Sequence, residues 1–191
     1  MPLIPALQVL ADVRRDQIVV TTMGSAREWP KLSQHALDFQ YLPSAMGHAP
    51  ALGLGLAMAQ PEREVIVING DGGMLMSLGV LVTIAAAQAT NFTLTVLDNR
   101  LYEVTGGQAT ASHAANVDFA AMARASGFAN AWGFDSLETW RREAAACLSA
   151  KGPRFISLKV EPVGDAYALP AATSIVERAN ALRRALAKTG S

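Results

Sequence analysis

Two short loops carry the residues whose types and spacing could do chemistry. The first is Asn69-Gly70-Asp71-Gly72-Gly73 and the second is Asp98-Asn99-Arg100-Leu101-Tyr102. Each follows an apolar, β-branched run that reads as a buried strand, residues 64–69 (EVIVIN) and 93–98 (TLTVLD). Asp71 and Asn99 are hard oxygen donors. Together with phosphate oxygens they suit magnesium, which wants six oxygens and takes few from protein side chains. Gly70 and Gly72 remove side chains where backbone must approach a ligand, and the amides of Gly72 and Gly73 would open a helix, whose N-terminus attracts phosphate. On one loop alone, a glycine turn with Asp71 as helix cap and Asn99 as turn former is the better explanation of the residues. Two such loops, spaced by one strand–helix–strand crossover, favour the ligand reading, because ligands bind beyond the carboxyl ends of parallel strands.

A dinucleotide site is the obvious rival. The fingerprint G-x-G-x-x-G would start at Gly70 and Gly72, but its third position is Leu75 and the next acid is Asp98. The glycine for helix–strand packing and the acid for a ribose are therefore both missing.

The elements that must position these loops alternate along the chain. Leu3, Leu7 and Leu10 give one amphipathic helix, residues 17–21 a short strand, 25–37 a polar and partly helical piece, and 38–42 a weak strand ended by Pro43. An Ala/Gly-rich helix is expected over 48–60, a helix over 73–89, a helix over 117–126 closed by Gly127, and a strand over 128–132. Asp135 and Glu138 read as a capping box for a helix to about residue 150, with Trp140, Ala144, Cys147 and Leu148 on one face. A strand over 154–160 follows, then a loop with Pro162 and Pro170. A last helix turns Ile175, Ala179, Leu182 and Leu186 inward, with Arg183, Arg184 and Lys188 complementing its dipole. Strands separated by helices predict an α/β fold with a mostly parallel sheet between two helical layers, and residues 1–191 read as a single domain.

Composition narrows the function classes. Apolar residues make up 51% and charged residues 17% of the 191, which excludes a disordered chain. Sixteen basic and sixteen acidic residues balance, so no basic surface advertises nucleic acid or an anionic membrane. Residues 72–97 carry no charge, but their polar residues and their split into a helix-like and a β-branched half favour a buried helix and strand over a membrane span. The lone Cys147 cannot form an intramolecular disulfide or a four-cysteine cluster. With no basic stretch before the first apolar residues, a cytoplasmic location is expected.

At this point the residues resemble a known family. Gly70-Asp71-Gly72, then 25 residues, then Asp98-Asn99 is similar to the G-D-G…N-N motif of thiamine diphosphate enzymes, with Asp98 in place of the first Asn. Ser44-Ala45-Met46-Gly47 and Ala59-Gln60-Pro61-Glu62-Arg63 also resemble their diphosphate-binding domain. The run Val104-Thr105-Gly106-Gly107-Gln108-Ala109-Thr110 resembles phosphonopyruvate and sulfopyruvate decarboxylases in particular. The resemblance implies a three-layer thiamine diphosphate-binding fold and magnesium held by the side chains of Asp71 and Asn99 and the carbonyl of Leu101. It implies diphosphate contacts around Gly70, Gly72, Gly73, Gly24 and Ser25. Met46 would wedge the cofactor into a bent shape, and the Ser44 carbonyl would accept a hydrogen bond from its amino group.

The resemblance also implies what is missing. Such enzymes need a glutamate on a pyrimidine-binding domain, and none of the eight Glu residues lies in such a context. The expected protein is therefore one subunit of a split 2-oxo acid decarboxylase, a hetero-oligomer inactive alone and able to pair as a homodimer when isolated. Subunits of an acetolactate-type carboligase are the alternative. The uncharged helix at 73–89 agrees, since a helix apolar all round needs cover on both sides. His48 and His113 carry no settled role, His35 reads as surface and Cys147 as core. Arg27 and Arg100 are the basic residues nearest in sequence to the loops.

Overall fold

The computed structural model describes residues 1–163 and 173–188. In chain order its elements are α1 (Leu3–Val13), β1 (Ile18–Thr21), α2 (Met23–Leu32), β2 (Asp38–Gln40), α3 (Ala49–Ala59), β3 (Val65–Gly70), α4 (Asp71–Leu75), α5 (Val80–Ala87) and β4 (Phe92–Asp98). There follow β5 (Leu101–Tyr102), a 3-10 turn (Glu103–Thr105), β6 (Gln108–Ala109), α6 (Ala111–Ala115), α7 (Phe119–Ala125), β7 (Asn130–Phe134), α8 (Leu137–Ser149), β8 (Arg154–Lys159) and α9 (Ile175–Lys188). Six strands form one parallel sheet in the order β2-β1-β3-β4-β8-β7, and β5 and β6 form a small antiparallel pair.

Successive side chains of a strand point to opposite faces, and the apolar runs use both. Ile18, Val20, Val65, Val67, Leu94 and Val96 enter one core, with Leu54 of α3, Ile84 of α5, Phe119 of α7 and Leu182 of α9. Val19, Ile66, Ile68, Leu97 and Ile156 enter the other, with Leu7 of α1, Trp29 of α2 and Trp140 and Cys147 of α8. Trp140 Nε1 donates to the Ala6 carbonyl at 3.0 Å, tying α8 to α1. Each fully buried side chain of Leu or Phe size stabilises the fold by ~1.5–3 kcal/mol. The expected α/β/α layering is observed.

Strand order reverses at β1: the chain passes from β1 outward to β2, then returns to place β3 on the other side of β1. A crevice opens at the carboxyl ends of strands on either side of such a switch point. Here it lies between the start of α2 and the β3–α4 turn.

Several expectations shift. The helix over 73–89 is broken into α4 and α5. Between them Ser77, Val80 and Leu81 donate three residues back, to Met74, Ser77 and Leu78, so the chain makes tight turns there. Glycines at 72, 73 and 79 weaken helix continuity. The polar piece over 25–37 is α2, begun at Met23 and ended at Leu32, and the strand at 128–132 is β7, displaced by two residues. The helix over 117–126 is the shorter α7, capped by Asp118, whose side chain accepts from Ala121 N. The Asp135–Glu138 capping box is not formed. Ser136, one residue later and extended, is the N-cap of α8 and accepts from Thr139 N. Pro170 and the Lys188 side chain lie outside the described residues.

The helical half of the uncharged segment is only partly covered. Strand β4 is buried throughout, whereas Met76 and Val82 are 53% and 59% exposed, and in the adjoining α3 Met58 is 66% exposed. Among the described residues no helix is long and apolar enough to cross a membrane.

Candidate cofactor and metal site

At the carboxyl ends of β1, β3 and β4, four segments remote in sequence line one cleft. Gly24, Ser25, Met46, Gly70, Asp71, Gly72, Gly73, Asn99 and Leu101 are all on its wall. Ser44 is not. Its hydroxyl lies 2.9 Å from Thr22 Oγ1, and Thr22 does line the cleft. The cavity measures about 60 Å³. A complete small-molecule site is roughly 300–1,000 Å³, so this cleft can hold only one end of such a ligand.

The local sequence explains the walls. Ser25 accepts from the Thr22 amide at 3.1 Å and lies 2.9 Å from the Ile68 carbonyl, which pins the start of α2 to β3. Those bonds occupy the Ser25 hydroxyl and, with the Thr22 side chain accepting from the Ser25 amide, make a capping box at the start of α2. A Cβ on Gly72 would collide with the Tyr102 ring, so only glycine allows that ring over the β3–α4 turn. Met46 is half-buried and belongs to neither core.

The electrostatics are acidic. Asp71 is 1% exposed, and its Oδ2 accepts from Thr110 Oγ1 at 2.7 Å and Ser112 Oγ at 2.9 Å. Asp71 Oδ1 takes no hydrogen bond among the described residues. Burial pushes the Asp98 carboxyl above its usual range; the Asp71 charge adds to this, while Arg100, Ser112 and Lys159 oppose it. Asn99 Oδ1 accepts from Leu101 N at 3.0 Å, across Arg100 in a left-handed conformation. Arg100 itself reaches Asn116 Oδ1 at 3.1 Å, and Arg27 pairs with Glu28 at 2.5 Å. Neither lines the cleft, and no Lys or Arg does among the described residues.

One feature fits a magnesium diphosphate. The buried Asn69 Nδ2 has no hydrogen-bond partner and would gain one from a ligand oxygen. The Glu103 carboxylate accepts from Val163 N at 2.8 Å and lies 3.5 Å from where a Cβ of Gly24 would stand. Among the described residues no cluster of three or more His, Cys, Asp or Glu could hold a metal by itself.

Asn69, Thr22, Tyr102 and Glu103 line the cleft without an assigned role from sequence, as Thr110 and Ser112 stand behind it. Asn69, Tyr102 and Glu103 lie in or beside the two loops, which was the available signal. His48 caps α3, with Nδ1 3.1 Å from the Met46 carbonyl, while exposed His113 stays off the cleft. His35 is exposed and Cys147 buried, as expected.

Comparison with known proteins agrees with this geometry. Residues 20–158 match the model of the thiamine pyrophosphate enzyme, C-terminal TPP binding domain. Phosphonopyruvate decarboxylase of Streptomyces viridochromogenes is 40% identical over 156 residues, which are 81% of this chain and 38% of that one. The chain thus spans well under half of that relative. Sulfopyruvate decarboxylase subunit beta of Methanothermobacter thermautotrophicus is 37% identical over 160 residues, 83% of this chain and 82% of that one. The crystal structure of benzoylformate decarboxylase from Polynucleobacter necessarius superposes with a TM-score of 0.69 at 18% identity, covering 88% of this chain and 34% of that one, a likeness of fold. The chain therefore belongs to the thiamine pyrophosphate enzyme family, as its C-terminal TPP-binding domain.

Proposed function

We propose that this chain is the diphosphate- and magnesium-binding subunit of a split thiamine diphosphate-dependent 2-oxo acid decarboxylase of the sulfopyruvate or phosphonopyruvate type, completed by a pyrimidine-binding partner. The observation that carries this reading is the convergence of Gly24, Met46, Asp71 and Asn99, from four separate segments, on one cleft at the switch point. The 37% identity to a beta subunit of nearly matching length supports the split form.

Bound here, thiamine diphosphate would supply the electron sink for loss of carbon dioxide from a 2-oxo acid. The side chains of Asp71 and Asn99 and the carbonyl of Leu101 would hold magnesium. The amides of Gly72 and Gly73, the segment at Gly24 and Ser25, and Asn69 Nδ2 would hold the diphosphate. Met46 would brace the bend of the cofactor, and the carbonyl of Ser44 would orient its amino group.

Two observations support a partner. The cleft has room for one end of the cofactor only, and Met58 of α3, Met76 after α4 and Val82 of α5 are exposed in two stretches, 49–59 and 72–97, that carry no charged residue. Because no Lys or Arg among the described residues lines the cleft, recognition of a sulfonate or phosphonate would fall to the other subunit.

The test is an assay of the purified chain with thiamine diphosphate, magnesium and sulfopyruvate or phosphonopyruvate, repeated with a pyrimidine-domain partner. Carbon dioxide release is expected only with both chains. Turnover by this chain alone, as a homodimer or otherwise, would contradict the split reading.

A further inference from the structure

The segment that follows the metal loop contains a Gly-Gly-Gln-x-Thr run whose chemistry the cofactor reading leaves unused. The structure folds it back over the site. Leu101 pairs with Ala109 and Tyr102 with Gln108, Gly107 N donates to the Tyr102 carbonyl at 2.9 Å, and Thr110 N donates to the Arg100 carbonyl at 2.9 Å. Gly106 and Gly107 both have positive φ, 119° and 76°, a reversal that side-chain-bearing residues disfavour. The hairpin delivers Thr110 and Ser112 to the first turn of α4, where they are 2% and 1% exposed.

The geometry points to Thr110 and Ser112 as a hydroxyl clamp that fixes the orientation of Asp71 for magnesium. The inference rests on the metal reading of Asp71 above. Both hydroxyls address the same oxygen, Oδ2, at 2.7 and 2.9 Å, and they lie 2.6 Å from each other. A carboxylate with both bonds on one oxygen cannot exchange its two oxygens by rotation without breaking both, so Oδ1 keeps one direction. Hydrogen bonds to an ionised acceptor are the stronger kind, which makes this hold effective. Ser112 Oγ is also 3.4 Å from Asp98 Oδ1, so one hydroxyl stands between the two carboxylates. Where the family motif has Asn, this chain has Asp98. With its one hydrogen given to Asp71, the serine stands toward Asp98 as a neutral spacer between the two carboxylates.

Thr110 and Ser112 are positioning residues in this account, acting through Asp71. Removing such outer partners of a metal ligand costs about 10–100-fold in metal affinity. The effect should depend on the ion. Magnesium demands near-octahedral geometry at short distances, whereas calcium tolerates irregular sites. A loosened Asp71 should therefore penalise magnesium more than calcium, a discrimination that a general loss of packing would not produce.

The experiment is a calorimetric titration of magnesium and of calcium at saturating thiamine diphosphate, on wild type, Thr110→Val, Thr110→Ser, Ser112→Ala and Asp71→Ala in the assembled enzyme. Thr110→Val and Ser112→Ala are expected to weaken magnesium by about 10–100-fold and calcium by less, with Thr110→Ser restoring magnesium affinity. Should Thr110→Val fail to fold, the smaller Ser112→Ala change carries the test. Wild-type magnesium affinity in Ser112→Ala and Thr110→Val, or equal losses for both ions without rescue by Thr110→Ser, would overturn the clamp while leaving the site intact. Undiminished magnesium binding by Asp71→Ala would instead overturn the metal reading beneath it.

Discussion

The two ends of the same parallel sheet bury polar groups in opposite ways. At the amino ends, Arg154 of β8 is 2% exposed and meets the Glu64 carboxylate before β3 and the carbonyls of Leu148 and Ala150 that end α8. Beside it the Asn91 amide nitrogen lies 2.7–3.0 Å from the carbonyls of Ala57, Gln60 and Arg63, joining the end of α3 to β4. Charge meets opposite charge, and helix-end carbonyls meet donors. At the carboxyl ends, Asp71 and Asp98 are both buried, neither has an ion pair among the described residues, and only neutral hydroxyls touch them. A buried charge is costly unless it is paired. The amino end closes on itself and is architecture. The carboxyl end leaves buried carboxylates without an ion-pair partner among the described residues.

The comparison predicts that variants at the carboxyl end lose function and spare stability, and that variants at the amino end do the reverse. The largest effect belongs to Asp71→Asn. It should abolish magnesium-dependent thiamine diphosphate binding, read by calorimetry, and raise the metal-free stability by about 0.5–2 kcal/mol in denaturant melts, as site residues often do when removed. Asn99→Ala should weaken binding strongly in the same titration. A metal-free Asp71→Asn chain less stable than wild type would show that the carboxylate is architectural after all.

Met46→Ala comes next. If Met46 braces the cofactor, misalignment should lower turnover by about 100-fold while cofactor affinity changes little. As a core residue it would instead cost roughly 2–5 kcal/mol of stability. Its place on the cleft and outside both cores predicts the first outcome, and turnover set against melting temperature separates the two.

At the other end, Arg154→Met should cost about 1–3 kcal/mol in urea melts by leaving helix-end carbonyls without donors, with magnesium affinity in the assembly unchanged. A parallel loss of metal affinity would erase the division between the ends.

The smallest effect concerns Cys147, buried on the core face of α8. Burial pushes its thiol up to about 11, with Glu143 acting in the same direction. The folded chain then holds a proton that the unfolded chain releases near pH 9, so this group's share of stability falls as pH rises from about 9 toward 11. An alkylating reagent at pH 8 should label Cys147 only on unfolding; rapid labelling of the native chain would contradict its burial.

Much of the fold was readable because the strands are uninterrupted apolar runs and the loops after β3 and β4 are short and rich in glycine and oxygen donors. The cleft was readable for the same reason: seven of the nine wall residues named from sequence sit in motifs with local signatures, and Gly24 and Ser25 do not. What escaped was set by distance in sequence or by brevity. The two-residue strands β5 and β6 have no periodicity to detect. Thr110 and Ser112 acquire their roles only through contacts with Asp71, 39 and 41 residues away. The break between α4 and α5 rests on glycines that an apolar run disguised, and Ser136 displaced Asp135 as cap through a one-residue difference in where the chain turns.

The central claim is that the buried acidity at the carboxyl end is completed by magnesium together with a diphosphate. The proposed two side chains and one carbonyl would leave magnesium short of six oxygens, which diphosphate oxygens and water would complete. Calorimetric titration of magnesium into the assembled enzyme should therefore show one ion per chain with thiamine diphosphate present and no comparable binding with thiamine, which lacks the diphosphate. Equal magnesium binding with thiamine and with thiamine diphosphate would contradict the account.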